Sequence, residues 1–266
     1  MVRFGFIGVG NMGEAILRGM ISGAVLPPDQ IRIYDPDVRK VELLAAELGV
    51  SSVAGMRALA ESCDMLLLAV KPDVCGRVIE EHRGLFQEKA LISIVTGWSG
   101  EKLQDNLPES ARVLRVMPNT PAMVGEGMTV FETNDTLKDD ERQFAERLFC
   151  AIGRVVSVKP ELLNATIGVS GSGPAYVYLF IEALADGGVR AGLPRNKAYE
   201  LAAQTVLGAA KMVLETAQHP GKLKDAVCSP GGTTIEAVAS LEKNGLRNAV
   251  IEAVQVCVDK ADQLSR

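Results

Sequence analysis

The sequence predicts an α/β protein: an N-terminal Rossmann-type doubly wound sheet followed by an all-α dimerisation domain. Three observations predict it. Short apolar runs of strand length alternate with helical-period segments through the first part of the chain, and a Gly-x-Gly-x-x-Gly sequence separates the first such run from the first helix. Beyond Pro160 the strand-type runs stop, and Ala, Leu, Val and Glu recur at helical spacing from Leu162 to Leu264. That shift in composition divides the chain into a Rossmann-type domain, 1–160, which the glycine motif marks for dinucleotide binding, and a helical domain, 161–266.

The elements follow in order. Arg3 to Val9 reads as a buried strand, Gly13 to Ser22 as a helix, Ile31 to Tyr34 as the second strand and Asp37 to Leu48 as a helix with apolar Val41, Leu43, Leu44 and Leu48 at helical spacing. A short helix, Met56 to Ser62, precedes the apolar strand Met65 to Val70, which Lys71-Pro72 terminates. Leu91 to Val95, Val113 to Met117, Met128 to Phe131 and Val155 to Val158 are further strands, with helices near Ser99 to Leu107 and Leu137 to Ala151. In the second half, Pro174 and Pro194 each stand at the first turn of a long helix, where proline is tolerated, and helices near Thr233 to Glu242 and Leu246 to Leu264 complete the chain.

Composition excludes several classes. Among 266 residues, 28 Lys plus Arg against 33 Asp plus Glu give 28 − 33 = −5, which argues against a nucleic-acid partner. A hydrophobic fraction of 47% with 23% charged residues leaves no room for a disordered or fibrous chain. The five cysteines are odd in number and scattered, without a Cys-x-x-Cys pair, so no metal site is expected. Only His82 and His219 are available for a histidine-centred triad. The first residues run straight into the glycine motif without a signal peptide, and no apolar run approaches the roughly 20 residues of a membrane span. A cytoplasmic protein with no membrane partner is therefore expected.

The chemistry begins at Gly8-Val9-Gly10-Asn11-Met12-Gly13. Such a turn brings backbone close to a pyrophosphate and places it on the exposed amides of a helix N-terminus. The pattern alone is weak, but here it follows a strand and opens a helix. The residue ending the second strand faces the adenosine ribose: a carboxylate there bonds the 2′-hydroxyl of NAD, whereas NADP wants a cation or a hydroxyl. Asp35 holds that place, either in this role or as an Asp-Pro turn former, and nearby Arg39 and Lys40 remain available to a 2′-phosphate. Both NAD(H) and NADP(H) stay open. Ala69-Val70-Lys71-Pro72 ends the central strand, where Val70 and Pro72 can wall a cofactor and Lys71 can reach a phosphate or ribose; the alternative is a surface lysine beside a turn proline. Met117-Pro118-Asn119-Thr120-Pro121 ends another strand and suits a rigid edge near the nicotinamide, with Asn119 as its amide; a plain proline-rich connection explains it as well.

Ser229-Pro230-Gly231-Gly232-Thr233-Thr234 precedes an apolar helical run. Two glycines leave bare amides and the hydroxyls lie at a helix cap, together a receptor for a small carboxylate; the alternative is a simple Ser/Thr cap with a flexible loop. Ser170-Gly171-Ser172-Gly173-Pro174 is similar in nature, but close helix packing is favoured there.

These segments, together with Gly171-Ser172-Gly173-Pro174-Ala175-Tyr176 and the run from His219-Pro220 through Asp225-Ala226-Val227-Cys228, in this order and over essentially the whole chain, resemble pyrroline-5-carboxylate reductase. The resemblance implies NAD(P)H-dependent reduction of 1-pyrroline-5-carboxylate to L-proline, and a Rossmann domain followed by a helical domain through which two subunits intertwine, with dimers often forming decamers. Carried over by motif, Gly8, Gly10, Asn11, Met12, Gly13, Ala69, Val70, Lys71 and Pro72 bind cofactor. Ser229, Gly231, Gly232, Thr233 and Thr234 hold the substrate carboxylate, and the Thr234 hydroxyl reaches the ring nitrogen as the catalytic group. Two positions depart from the pattern. Val95-Thr96-Gly97 stands where many members have Ala-Ala-Gly, and Asp35 stands where NADP-preferring relatives often carry a small hydroxyl or a basic residue.

A β-hydroxyacid dehydrogenase shares the opening motif, but its catalytic lysine on a helix of the second domain has no counterpart in Pro174-Ala175-Tyr176-Val177-Tyr178. A non-catalytic dinucleotide sensor would have no use for Ser229 to Thr234. Apolar Tyr176, Val177, Leu179, Phe180, Ile181 and Leu184 fall on more than one helix face, which predicts an obligate homodimer rather than a monomeric bundle.

Overall fold

The structure, a computed structural model, describes residues 3–265. Eight strands form one sheet: β1 (Phe4–Ile7), β2 (Ile31–Tyr34), β3 (Ser51–Ser52), β4 (Met65–Leu68), β5 (Ala90–Ser93), β6 (Arg112–Met117), β7 (Gly127–Glu132) and β8 (Gly153–Val158), in the order β3-β2-β1-β4-β5-β6-β7-β8. Strands β1 to β6 pair in parallel. Helices α1 (Asn11–Ser22), α2 (Val38–Leu48), α3 (Met56–Ser62), α4 (Pro72–His82), α5 (Gly100–Asn106) and α6 (Asp139–Cys150) connect them. The expected doubly wound, mainly parallel sheet is present. Strand β7 runs antiparallel to β6 because the connection 118–126 holds only a single 3₁₀ turn, too short for the crossover that parallel pairing requires.

Burial on both faces explains the near-continuous apolar strands. On one face Phe4, Phe6, Leu67, Ile92 and Val116 pack against Ile16, Leu17 and Met20 of α1 and Phe144 and Leu148 of α6. On the other, Ile7, Leu66, Leu68, Leu91 and Val113 pack against Leu59, Ile79, Phe86 and Leu103. Sheet order reverses at β1, whose neighbours are β2 and β4. The crevice beyond the carboxyl ends of these strands is where open α/β sheets bind ligands.

The composition shift falls at Pro160, whereas the compact units divide after Gly171: one runs up to Gly171 and includes the chain from Cys257 onward, the other is Ser172–Val256. The stretch after β8 stays with the sheet because Leu163, in the short helix α7 (Leu163–Thr166), and Ile167 pack on Met117 and Val130. A π-helical turn, Ile167–Gly171, closes this unit. The second unit holds α8 (Gly173–Arg190), α9 (Arg195–Thr216), α10 (Pro220–Val227) and α11 (Thr233–Lys243), and the unit boundary falls within α12 (Leu246–Ser265). Helices α8 and α9 meet through small residues, Ala185 against Ala198 and Ala202. Ile181 and Val189 pack against them, while many other apolar side chains are exposed, among them Tyr178, Leu179, Leu201 and Met212. Among the described residues no helix is long and apolar enough to cross a membrane.

Candidate functional site

Strand β1 ends at Ile7, and the chain turns at Gly8 with φ +95°, a conformation closed to most L side chains. A Cβ on Gly8 would stand 2.7 Å from the Ala69 carbonyl oxygen, and one on Gly13 would stand 2.6 Å from the Gly8 oxygen. Backbone packing therefore demands both glycines. Gly10 is different: a Cβ there would meet nothing within 4 Å. It is the N-cap of α1, with no side-chain cap, and it leaves open space in front of the first amides of the helix. Asn11 is exposed there and Met12 half-buried against the core. Amides at the positive end of a helix with room before them fit a pyrophosphate, so the turn fits a dinucleotide.

Beside this turn lies a cleft of about 390 Å³ lined by Gly8, Gly10, Asp35, Ala69, Val70 and Lys71. Pro72 opens α4, whose residues Val74, Arg77, Val78 and His82 form the wall beyond. Sequence reasoning missed that wall. Its signal was present: a proline at the first turn followed by Val74, Cys75, Val78 and Ile79 at helical spacing. Burial pushes the Cys75 thiol up to about 12, so this cysteine is a packing group rather than a nucleophile.

Asp35 joins the glycine turn to the turn between β2 and α2. Its Oδ2 accepts the Val9 N–H at 2.9 Å and its Oδ1 accepts the Asp37 N–H at 3.0 Å. The second bond is the Asx turn that an Asp-Pro sequence suggests, and the first orients the carboxylate within the cleft. Lys40 is tied to Glu14, Nζ to Oε2 at 3.0 Å, and Arg18 bridges Glu14 and Glu47. Arg39 is exposed.

Asn119 is nearly buried at the end of β6. Its Nδ2 donates to the Ser170 carbonyl at 3.0 Å and its Oδ1 accepts the Met128 N–H at 2.9 Å, so this amide braces the rigid edge formed by Pro118 and Pro121. Deeper, Arg115 donates to Glu132 at 2.9 Å across β6 and β7.

In the helical unit, Ser229 to Thr234 form a tight bend. The Gly232 N–H donates to the Ser229 carbonyl at 3.0 Å, and Gly231 takes φ +68°. A Cβ on Gly232 would stand 2.4 Å from the Ser229 Oγ. Gly232 is the N-cap of α11 and no side chain caps that helix, which leaves its positive end, with the hydroxyls of Thr233 and half-buried Thr234, for an anion. His219, by contrast, is spent on structure: its ring nitrogen accepts the Gly221 N–H at 3.0 Å and caps α10.

Comparison with known proteins accords with these features. Residues 160–264 match the family model described as pyrroline-5-carboxylate reductase dimerisation, and residues 3–97 match one described as NADP oxidoreductase, coenzyme F420-dependent. The chain is 43% identical over 265 residues to the pyrroline-5-carboxylate reductase of Escherichia coli K12, covering 99% of this chain and 98% of that protein. It is 45% identical to the reductase of Synechocystis, covering 100% and 99%. Among solved structures it is similar to a pyrroline-5-carboxylate reductase from Coxiella burnetii, with TM-score 0.93 and 35% identity over 100% of this chain and 99% of that one. The Plasmodium falciparum pyrroline carboxylate reductase, solved with NADP bound, gives TM-score 0.90 and 32% identity over 100% and 98%. Full-length identity at this level, the paired glycine bends and the dimerisation segment establish that the chain belongs to the pyrroline-5-carboxylate reductase family, the NAD(P)H-dependent oxidoreductases that reduce 1-pyrroline-5-carboxylate to L-proline.

Proposed function

We propose that the two glycine bends divide the work of imine reduction. Gly8, Gly10, Asn11, Met12 and Gly13 hold the cofactor pyrophosphate, Asp35 meets the adenosine ribose, Ala69 to Pro72 wall the nucleotide, and the Asn119 edge limits its nicotinamide end. Ser229, Gly231, Gly232 and Thr233 hold the carboxylate of the five-membered imine. Thr234 donates its O–H to the ring nitrogen. The observation that carries this reading is that α1 and α11 both begin behind a glycine with no side-chain cap, each presenting a positive helix end to an anion.

When bound, NAD(P)H supplies the hydride. The protein's share is mainly alignment, which is worth up to roughly 7–11 kcal/mol when reactants are held in reactive geometry. Donation from the Thr234 hydroxyl to the imine nitrogen polarises the C=N bond toward hydride, and solvent supplies the proton that the nitrogen takes up, so no histidine is needed. That accords with His219 serving as a helix cap.

The same reading takes the functional unit to be a cytoplasmic homodimer, assembled further as a decamer of five dimers. The outward apolar side chains of α8 and α9 support the dimer, and a sedimentation mass below ten chains would remove the decamer. The site assignment is tested by crystals grown with L-proline. A carboxylate seated on the Gly231-Gly232 bend is expected, and proline bound elsewhere would refute the assignment.

A further inference from the structure

We propose that this reductase selects NADH over NADPH, and that the turn between β2 and α2 is the selecting device. The inference rests on the reading that the Gly8–Gly13 turn holds a dinucleotide. NADPH differs from NADH only by a phosphate on the adenosine 2′-oxygen, carrying a charge of about −1.5 to −2. A protein receives such a group with a cation or with open amides at a helix N-terminus. On the β2–α2 side the protein's own carboxylates already claim the helix end and one of the two cations.

Asp35 lines the cleft at the ribose position, held there by the Val9 N–H at 2.9 Å and the Asp37 N–H at 3.0 Å. Each carboxylate oxygen retains a second lone pair, so the group can still accept a 2′-hydroxyl, while a phosphate would meet like charge. Asp37 is the N-cap of α2, its Oδ1 accepting the Lys40 N–H at 3.1 Å, so the positive end of that helix is answered from within. The Lys40 ammonium is drawn away to Glu14 at 3.0 Å. Lys71, the residue before α4, and Arg77 of α4 line the cleft across β1 from Asp35. On the β2–α2 side only exposed Arg39 is left to meet a phosphate.

Calorimetric titration of the intact protein with NADH and NADPH, and with the fragments 5′-AMP and 2′,5′-ADP, tests this without recourse to turnover. NADH is expected to bind tighter by about tenfold or more, with the fragments in the same order. Asp35→Asn, which keeps an acceptor for the Val9 N–H, and Asp35→Ser should each narrow that ratio by about tenfold through a gain for NADPH. Glu14→Gln, which releases Lys40, should strengthen NADPH alone. Should Asp35→Ser not fold, Asp35→Asn and Glu14→Gln carry the test. Wild-type protein binding NADPH as tightly as NADH, or a ratio unmoved in Asp35→Asn, would overturn the selection and leave the dinucleotide site standing. Failure to bind either dinucleotide would overturn both.

Discussion

Asn119 and Ser170 are joined by a 3.0 Å hydrogen bond that ties the end of β6 to the π-helical turn closing the first compact unit. The same side chain accepts the Met128 N–H, so one nearly buried amide satisfies two backbone groups from different elements. Asn119→Ala would leave both without a partner. Its expected cost is about 1–3 kcal/mol of stability, together with weaker NAD(P)H binding as the edge loosens. Thermal unfolding and a cofactor titration measure the two effects, and an unchanged melting temperature would show that the bonds are dispensable.

Gly10 and Gly13 of the β1–α1 turn separate by experiment. Gly13→Ala drives a methyl to 2.6 Å from the Gly8 carbonyl and forces the β1–α1 turn to shift, so stability and cofactor binding should fall together. Gly10→Ala meets no protein atom within 4 Å. It should leave stability within about 1 kcal/mol of wild type and still weaken NAD(P)H by about tenfold or more, since the methyl occupies the space before the helix amides. Equal losses of stability in the two variants would mean that Gly10 serves packing alone.

How much of this was legible in the sequence follows from which interactions are local. The Gly8–Gly13 turn was legible because its glycine spacing lies between a strand and a helix in the sequence, although the demand on Gly8 comes from the distant Ala69 carbonyl. The orientation of Asp35 was not, since it depends on the Val9 N–H from another element. Helix α4 escaped notice because Gly76 and the Lys71-Pro72 punctuation mask its apolar spacing, and β3, only Ser51–Ser52, is too short to alternate. The direction of β7 is a matter of loop length, which periodicity does not report. Leu163 and Ile167 pack on Met117 and Val130, so the compact units divide after Gly171, a matter of packing that the composition shift at Pro160 does not report. The Ser229–Thr234 bend ahead of a helix was legible from its glycines and hydroxyls. Its particular ligand came from resemblance.

The bond between β6 and α6 sets an acid sensitivity. Burial works to raise the Glu141 pKa, but the Arg112 guanidinium, gripping it at 2.7 to 3.1 Å, and the Lys138 N–H at 2.9 Å outweigh burial and hold the carboxylate below its ordinary value. A depressed folded-state value means that the stabilisation is complete above the unfolded value, about 4.3, and is lost as pH falls through the folded one. Glu141→Gln should therefore cost about 2–3 kcal/mol at neutral pH, with the deficit shrinking below about pH 4. Denaturant melts at both ends of that range decide it. A deficit that stays constant with pH would mean that the carboxylate charge contributes nothing.

At the Ser229–Thr234 bend the sharpest expectation concerns Thr234, which is half-buried in the first turn of α11, two residues past the Gly232 cap. A hydroxyl bonded to a nitrogen that gains charge during reduction contributes more in the transition state than in the ground state. Thr234→Ala should accordingly lower kcat/KM by roughly ten- to a few-hundred-fold, equivalent to a bond of about 1.5–3 kcal/mol, with most of the loss in kcat. Thr234→Ser, which retains the hydroxyl, should recover most of it. Initial rates of NAD(P)H oxidation against imine concentration separate the outcomes: a loss confined to KM would make Thr234 a binding group only, and turnover close to wild type would take it out of the chemistry.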